Sequence, residues 1–251
     1  MRTALRAIGL LLGCVLVSAA HAAEPTLTKL SIAVRGEPCS ALLLRPEDAR
    51  ALLVLAHGQI MNIRHPFMES LGAALARHGI ATLRFNFPYA EAGRAQPDGE
   101  NVLIEAIEAA THEAEVRRGA LPLLVGGKSL GGMLAAQAVR DAAQPNVEAL
   151  VLLSYPLHAP GRPSNANAGR LEGLKQPILF LEGTRDPLAD LTLMRALVER
   201  LGPRARLVVV QDGDHSFALP EGSGRTQAEV FEQLASAIAD FAATLAPSRG
   251  R

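Results

Sequence analysis

A serine flanked by glycines is the first candidate for chemistry in this sequence. The segment Gly126-Gly127-Lys128-Ser129-Leu130-Gly131-Gly132 contains the pattern G-x-S-x-G, between the apolar run 123–125 and a segment with helical spacing. In this context the pattern forms a tight turn that exposes the serine hydroxyl at the end of a strand. Gly127 and Gly131 are small enough for the strand and the helix to approach closely. We therefore predict that Ser129 is a nucleophile.

A serine hydroxyl is a weak nucleophile until a base accepts its proton, and the base in turn needs an acid to orient it. Asp186 follows the apolar run 178–181, and His215 follows the apolar run 205–210. Parallel sheets collect their functional residues at the carboxyl ends of strands. The order Ser, acid, His after successive strands predicts a triad in which His215 is the base and Asp186 the orienting acid.

Other acidic residues compete for the role given to Asp186. Asp190 is one rival, and Glu182, which lies within the apolar run, is the second choice. Asp212 and Asp214 are so close to His215 in sequence that we interpret them as residues that shape its loop. Histidines other than His215 lack a comparable context: His57, expected to be structural, and His65, His78, His112 and His158.

Acyl transfer through a serine also needs two backbone N–H groups to stabilise the oxyanion of the tetrahedral intermediate. One donor normally belongs to the residue after the nucleophile, here Leu130. The other comes from the loop after an earlier strand, and Gln59 directly follows the run 51–56 and His57-Gly58. We predict an oxyanion hole formed by Leu130 and Gln59.

The glycine-rich segment has two competing interpretations. Gly127-Lys128-Ser129 resembles the end of a phosphate-binding loop, but that pattern requires glycine at position 122, which is Pro122. A glycine-rich turn without catalysis is favoured less once His215 and Asp186 are considered. Lys128 is interpreted as a structural contact rather than a ligand for a substrate carboxylate.

Apolar runs and segments with helical spacing alternate along the chain, which favours a parallel sheet with helices on both faces. We predict an α/β fold of about seven or eight mostly parallel strands, in a single domain over residues 23–251 without a large cap domain. The runs 30–33 and 41–44 predict an antiparallel entry hairpin. Predicted strands follow at 51–56, 81–85, 121–125, 149–153, 178–181 and 205–210, and helices at 67–75, 102–116, 130–139, 191–201 and 226–245. The irregular stretches 88–99 and 157–173 are expected to govern substrate selectivity.

The N-terminal segment resembles a secretory signal peptide over residues 1–22. Arg2 and Arg6 precede the apolar run from Ile8 to Val17, and small residues follow up to Ala22. Cleavage there predicts a periplasmic or secreted protein without integral membrane association. It would also remove Cys14 and leave Cys39 as a buried apolar residue without an intramolecular disulfide partner. Lys plus Arg equals Asp plus Glu at 25 each, which argues against nucleic acid as a partner.

Several motifs together resemble the α/β-hydrolase superfamily. Within it the chain is similar to the dienelactone-hydrolase-like branch, which includes bacterial predicted hydrolases and a eukaryotic chromatin-complex subunit. The motifs are His57-Gly58, His65-Pro66-Phe67-Met68, Arg84-Phe85-Asn86-Phe87-Pro88-Tyr89, Gly126 to Gly132 and Gly183-Thr184-Arg185-Asp186-Pro187. The resemblance implies the fold and the triad. Gln59-Ile60-Met61-Asn62 departs from the small residues usual in that branch, and a serine replaces the cysteine of dienelactone hydrolases proper.

The chemistry expected from these residues is hydrolysis of a small-molecule ester or thioester through an acyl-enzyme, with no metal or organic cofactor. Amide or peptide cleavage and acyl transfer use the same triad and stay open as alternatives. A catalytically silent binding protein is a further alternative, because one fold can serve many functions.

Overall fold

One eight-stranded sheet organises the protein, in a computed structural model that describes residues 24–141 and 146–245. The strands are β1 (Thr26–Val34), β2 (Glu37–Arg45), β3 (Ala51–Ala56), β4 (Ile80–Phe85), β5 (Leu123–Lys128), β6 (Ala149–Leu153), β7 (Ile178–Gly183) and β8 (Ala205–Val210). The helices are α1 (Pro66–Arg77), α2 (Pro88–Glu91), α3 (Glu100–Arg118), α4 (Leu130–Asp141), α5 (Leu191–Leu201) and α6 (Gln227–Ala242).

The strands lie in the order β1-β2-β4-β3-β5-β6-β7-β8. The antiparallel pairs are β1 with β2 and β2 with β4, and all later pairs are parallel. The predicted entry hairpin is present, and it turns at Arg35 and Gly36, both with positive φ. Because the parallel strands run in one direction, the ends of β3, β5, β7 and β8 meet at the same edge of the sheet.

Helices cover both faces of the sheet. Helices α3, α4 and α5 pack with one core cluster, and α1 and α6 pack with the other. Strands β3 and β6 are buried along their whole length, as expected for continuously apolar strands between two helical layers. Helix α6 begins with a capping box in which Thr226 and Glu229 satisfy each other's backbone N–H groups. The predicted α/β architecture is confirmed.

The structure corrects the sequence prediction in three segments. Strand β5 begins at Leu123 and continues through the glycines to Lys128, because residues 126–128 pair with β6. The stretch 88–99 begins with the one-turn helix α2, which Pro88 starts and whose Glu91 carboxylate accepts hydrogen bonds from Ser40 and Asn86. The stretch 157–173 contains a short 3₁₀ turn at Ala168–Leu171.

The predictions about the signal peptide, the membrane and the cysteines can be compared only in part with the described residues. The predicted signal peptide, residues 1–22, lies outside the described residues, and so does Cys14. Within residues 24–141 and 146–245 no helix is both long and apolar enough to cross a membrane. Cys39 is buried, and desolvation raises the pKa of its thiol to about 11.

Candidate active site

Ser129 lies in the turn between β5 and α4, and its backbone is strained. Its φ is 53°, in the left-handed region that side chains with a Cβ rarely adopt. Its N–H donates to the carbonyl of Leu153 at 2.9 Å, which continues the pairing with β6. Ser129 therefore ends the backbone pairing of β5 with β6 and begins the turn into α4.

The glycines around Ser129 leave no space for a side chain. A Cβ added to Gly127 would lie 2.6 Å from the carbonyl carbon of Gly131, and one added to Gly131 would lie 2.5 Å from the carbonyl oxygen of His57. At Gly126 the added atom would lie 1.9 Å from the carbonyl oxygen of Val151. The predicted reason for small residues at 127 and 131 is confirmed, and Gly126 is a third such position.

Three side chains from separate strand ends form a hydrogen-bonded chain. The Nε2 atom of His215 lies 2.9 Å from Ser129 Oγ, and its Nδ1 atom lies 2.7 Å from Asp186 Oδ2. The Asp186 side chain is fully buried, and its second oxygen accepts from the N–H of Leu188 at 2.8 Å. Asp186 can accept a hydrogen bond from the Nδ1–H group while Nε2 faces the hydroxyl of Ser129, which is the arrangement that activates a serine.

Two further glycines bring the Asp186 and His215 loops together. A Cβ on Gly183 would lie 2.2 Å from the carbonyl oxygen of Gly213. That same oxygen accepts the N–H of Arg185 at 2.8 Å. Sequence reasoning named Gly183 only as part of the motif from Gly183 to Pro187 and assigned no packing role to Gly183 or Gly213, although each glycine follows a predicted strand and precedes a candidate catalytic residue.

The aspartates that compete with Asp186 in the sequence analysis have local structural roles. Asp190 caps α5 by accepting from the N–H of Leu193 at 3.0 Å. Asp214 accepts the N–H groups of Ser216 and Ala218 at 2.7 and 2.9 Å and so shapes the loop that carries His215. Asp212 has a positive φ and lies at the turn after β8. These contacts agree with the loop-shaping interpretation of Asp212 and Asp214.

Glu182 is a second carboxyl group at the end of β7, completely buried. Its Oε1 accepts the N–H of Tyr155 at 2.7 Å, and its Oε2 is buried with no hydrogen-bond partner among the described residues. Desolvation and then the charge of Asp186 raise the pKa of Glu182 well above its ordinary value. The raised pKa favours the neutral form of Glu182, which holds the chain after β6, whereas Asp186 contacts the imidazole.

The two predicted oxyanion donors lie at different elements. Leu130 is the first residue of α4, where backbone N–H groups have no partner within the helix and the helix dipole favours negative charge. Gln59 lies in the turn after β3, and its carbonyl accepts from the Tyr89 hydroxyl at 2.7 Å. Burial raises the pKa of Tyr89 to about 12, so this hydroxyl stays a donor. The carbonyl oxygen of Lys128 lies 3.5 Å from a Cβ built on Gly58, which puts this turn against the end of β5.

His57 links the turn after β3 to the segment after β4. Its Nδ1 lies 2.8 Å from the Gly58 carbonyl, and its Nε2 accepts the Phe87 N–H at 3.2 Å. Desolvation lowers the pKa of His57 to about 4, so the ring is neutral with its proton on Nδ1. This agrees with the structural role predicted for it.

The remaining histidines have local contacts or are exposed. His65 caps α1, the ring of His78 contacts Glu232 at 2.9 Å, and His158 Nε2 accepts the N–H of Asp190 at 2.9 Å. His112 is exposed on α3. Of the histidines in the described residues, His215 has the contacts of a base next to a serine.

Lys128 has a direct contact with the His215 loop. Its Nζ donates a hydrogen bond to the backbone carbonyl of His215, and the residue is only 1% exposed. The structural contact expected for Lys128 is present, but the sequence did not indicate which group it contacts.

A cavity of about 290 Å³ opens beside the Gln59 turn. Its lining comes from that turn and from the segment that starts at α2: Gln59, Ile60, Met61, Asn62, Tyr89, Ala90, Gly93, Arg94 and Ala95. Ile60 is 89% exposed, which is unusual for a large apolar side chain. A small molecule with an apolar part can lie here next to the candidate oxyanion hole. In the described residues no cluster of three or more His, Cys, Asp or Glu side chains is arranged to hold a metal ion.

Comparisons with known proteins identify the family and the fold. The model of the family named "Alpha/beta hydrolase domain" matches residues 49–243, well over half of the chain. A dienelactone hydrolase from Anabaena variabilis has a similar structure, with a TM-score of 0.67 and 22% identity over 88% of this chain and 96% of that one. Est1E from Butyrivibrio proteoclasticus, solved with ferulic acid bound, has a TM-score of 0.69 and 16% identity over 86% of this chain and 100% of that one.

A Xanthomonas campestris protein described as an α/β serine hydrolase without a lid is also similar. Its TM-score is 0.65, with 18% identity over 87% of this chain and 95% of that one. At these identities the three likenesses establish a shared fold.

Proposed function

Because this chain belongs to the alpha/beta hydrolase family, we propose that it is a serine hydrolase that cleaves a carboxylic ester or thioester through an acyl-enzyme on Ser129. The observation that carries the proposal is the contact of His215 with both Ser129 Oγ, at 2.9 Å, and Asp186 Oδ2, at 2.7 Å. The positive φ of Ser129 supports it independently, because such strain persists at functional sites.

The reaction follows from these contacts in two steps. Ser129 Oγ attacks the acyl carbon while His215 Nε2 takes the hydroxyl proton, and Asp186 stabilises the imidazolium that forms. The tetrahedral intermediate collapses, the bond to the leaving group breaks, and His215 returns the proton to the leaving alcohol or thiol. Water then attacks the acyl-enzyme by the same route and releases the acid. The N–H groups of Leu130 and Gln59 stabilise the oxyanion in both steps.

The substrate is a small molecule, and one part of it occupies the cavity beside Gln59. The volume of about 290 Å³ fits a short acyl chain or a single ring. The cavity wall combines an exposed Ile60 with small residues such as Ala90 and Gly93, which leave room for an apolar group. Est1E, a protein of the same fold, binds ferulic acid, which supports a small organic acid or its ester as the ligand class.

Hydrolysis of p-nitrophenyl esters of graded acyl length tests this function. Wild-type protein is expected to hydrolyse the short esters, and Ser129→Ala to lose about 10⁴-fold or more in kcat. Ser31→Ala, an exposed serine on β1, serves as the matched control and is expected to match wild type. Folded protein with no ester, thioester or amide hydrolysis would contradict the proposal and favour a binding role.

A further inference from the structure

Lysine is rare in this chain, and one lysine lies beside the candidate nucleophile. Among 25 Lys and Arg residues only Lys29, Lys128 and Lys175 are lysines. Lys29 and Lys175 are exposed, whereas Lys128 is 1% exposed at the end of β5. Nearly all other cationic residues in the chain are arginines. An exposed positive charge can be either residue, so the buried lysine at 128 indicates that this site requires an ammonium group.

The groups around Lys128 come from three parts of the fold. Its Nζ donates to the carbonyl oxygen of His215 in the loop after β8 and lies 5.9 Å from the ring centres of Phe67 on α1 and Phe217. Nearby carboxylates attract its charge: Asp186 in the loop after β7 and Asp214 in the His215 loop. The ammonium group therefore connects the nucleophile strand with the loop that carries the base.

A buried ammonium is costly for the fold. Desolvation lowers the pKa of Lys128 to about 8, against the attraction of Asp186 and Asp214. Burial of a cation usually destabilises a protein unless its partners compensate. An apolar side chain of similar length would avoid this cost, so stability alone does not account for a lysine at this position.

Resting on the proposed function, we infer that Lys128 is a positioning residue, which fixes the backbone at His215 so that the imidazole keeps its contact with Ser129. Lys128 and Ser129 are consecutive residues. A movement of the nucleophile turn therefore also moves Lys128, whose Nζ binds the backbone carbonyl of His215. Other contacts hold the two ends of the loop, since the Gly213 carbonyl accepts the Arg185 N–H and the buried Phe217 accepts from the Gln227 side chain. Among the described contacts, it is the Lys128 ammonium that binds the carbonyl of His215 itself. Displacement of a catalytic group by about 1 Å lowers rates by roughly 100-fold.

Three variants test this inference. Lys128→Met removes both the donor and the charge at similar size, and we expect kcat to fall about 10- to 100-fold while KM stays within about threefold. Lys128→Gln keeps an N–H donor without charge and is expected to recover part of that loss. Lys175→Met, an exposed lysine, is the matched control and should behave as wild type. Rates are measured per active site, titrated with a fluorophosphonate, and melting temperatures are measured on the same samples.

The outcomes separate positioning from plain structural support. A structural role predicts that Lys128→Met has a lower melting temperature and a normal kcat per titrated site, and this result would overturn the inference. Equal activity of the Met and wild-type proteins would overturn it as well. A crystal structure of Lys128→Met adds a readout that needs no activity, because the distance between His215 Nε2 and Ser129 Oγ should lengthen beyond hydrogen-bond range. A wild-type protein without hydrolase activity would contradict the proposed function. An unchanged distance between His215 Nε2 and Ser129 Oγ in Lys128→Met would separately refute the positioning role of Lys128.

Discussion

Two buried carboxyl groups lie at the end of β7 and in the loop that follows it, and they have different hydrogen-bond partners. Asp186 contacts the imidazole of His215, whereas Glu182 accepts the N–H of Tyr155. We therefore expect Asp186→Asn to lower kcat by roughly 10³- to 10⁴-fold, because the amide favours the wrong tautomer of His215. Glu182→Gln keeps an acceptor for Tyr155 and should retain kcat within about threefold. Steady-state kinetics on both variants would contradict the assignment if Glu182→Gln had the larger loss.

Glu182 also predicts a pH dependence of stability. Desolvation raises its pKa, so above about pH 4.5 the folded chain keeps a proton that the unfolded chain releases. The stability that Glu182 contributes is complete below that pH and is lost as pH rises toward its raised pKa. We expect Glu182→Gln to lack this loss, so its melting temperature relative to wild type should increase by several degrees between about pH 5 and pH 8.

The control for this prediction is Glu172→Gln, an exposed carboxyl group in the loop before β7. Its melting temperature should follow wild type at every pH in a series of thermal unfolding curves. If the melting temperatures of Glu182→Gln and wild type differed by the same amount at every pH, this result would contradict a raised pKa for Glu182.

Residue types and their order were sufficient to select Ser129, Asp186 and His215, because each one follows a recognisable apolar run. The contact of Lys128 with the His215 carbonyl could not be predicted, since it joins residues 87 positions apart through loop geometry. The raised pKa of Glu182 also depends on three-dimensional burial, which a position inside an apolar run only suggests.

At the scale of elements, the sequence predicted most strands and helices because continuous apolar runs and helical spacing are long enough to be recognised. It missed α2, because four residues carry too little periodicity and its position depends on the contacts of Glu91 with Ser40 and Asn86. It also ended β5 early, because glycines normally weaken a strand. Here the close approach of β6 and α4 requires those glycines.

Helix α2 and the turn after β3 form the wall of the cavity beside Gln59, so this pair of elements should set the acyl-chain preference. Ala90 lines that cavity, whereas Ala92 is exposed at the end of the same helix and does not. We expect Ala90→Leu to raise KM for longer p-nitrophenyl esters about tenfold or more and to change the acetate ester little. Ala92→Leu is the matched control. If KM depended on acyl length in the same way for both variants, the acyl chain would have to lie outside this cavity.

At the scale of the whole molecule, the single sheet explains why distant residues meet. The ends of β3, β5, β7 and β8 deliver Gln59, Ser129, Asp186 and His215 to one edge. This arrangement could be predicted from the alternation of strands and helices, since right-handed crossovers leave few other topologies. The strand order itself, with β4 between β2 and β3, needed the structure.

We propose that the protein is exported and that residues 1–22 are removed. The proposal rests on Arg2 and Arg6 before an apolar run and on small residues up to Ala22. Expression of the full chain in a Gram-negative bacterium should give a periplasmic product whose N-terminus, read by mass spectrometry, begins at Ala23. Replacement of Ala20 and Ala22 by Arg should block processing, and a cytoplasmic product with an intact N-terminus from the unaltered chain would contradict export.

An activated serine at position 129 is the central claim, and covalent labelling with a fluorophosphonate tests it most directly. The Ser129 oxygen should displace fluoride from phosphorus, and peptide mapping should locate the phosphonyl group on Ser129. His215→Ala should lower the labelling rate at least about 100-fold, whereas His112→Ala, an exposed histidine on α3, should label like wild type. Folded wild-type protein that stays unlabelled, or that is labelled at another residue, would contradict the account.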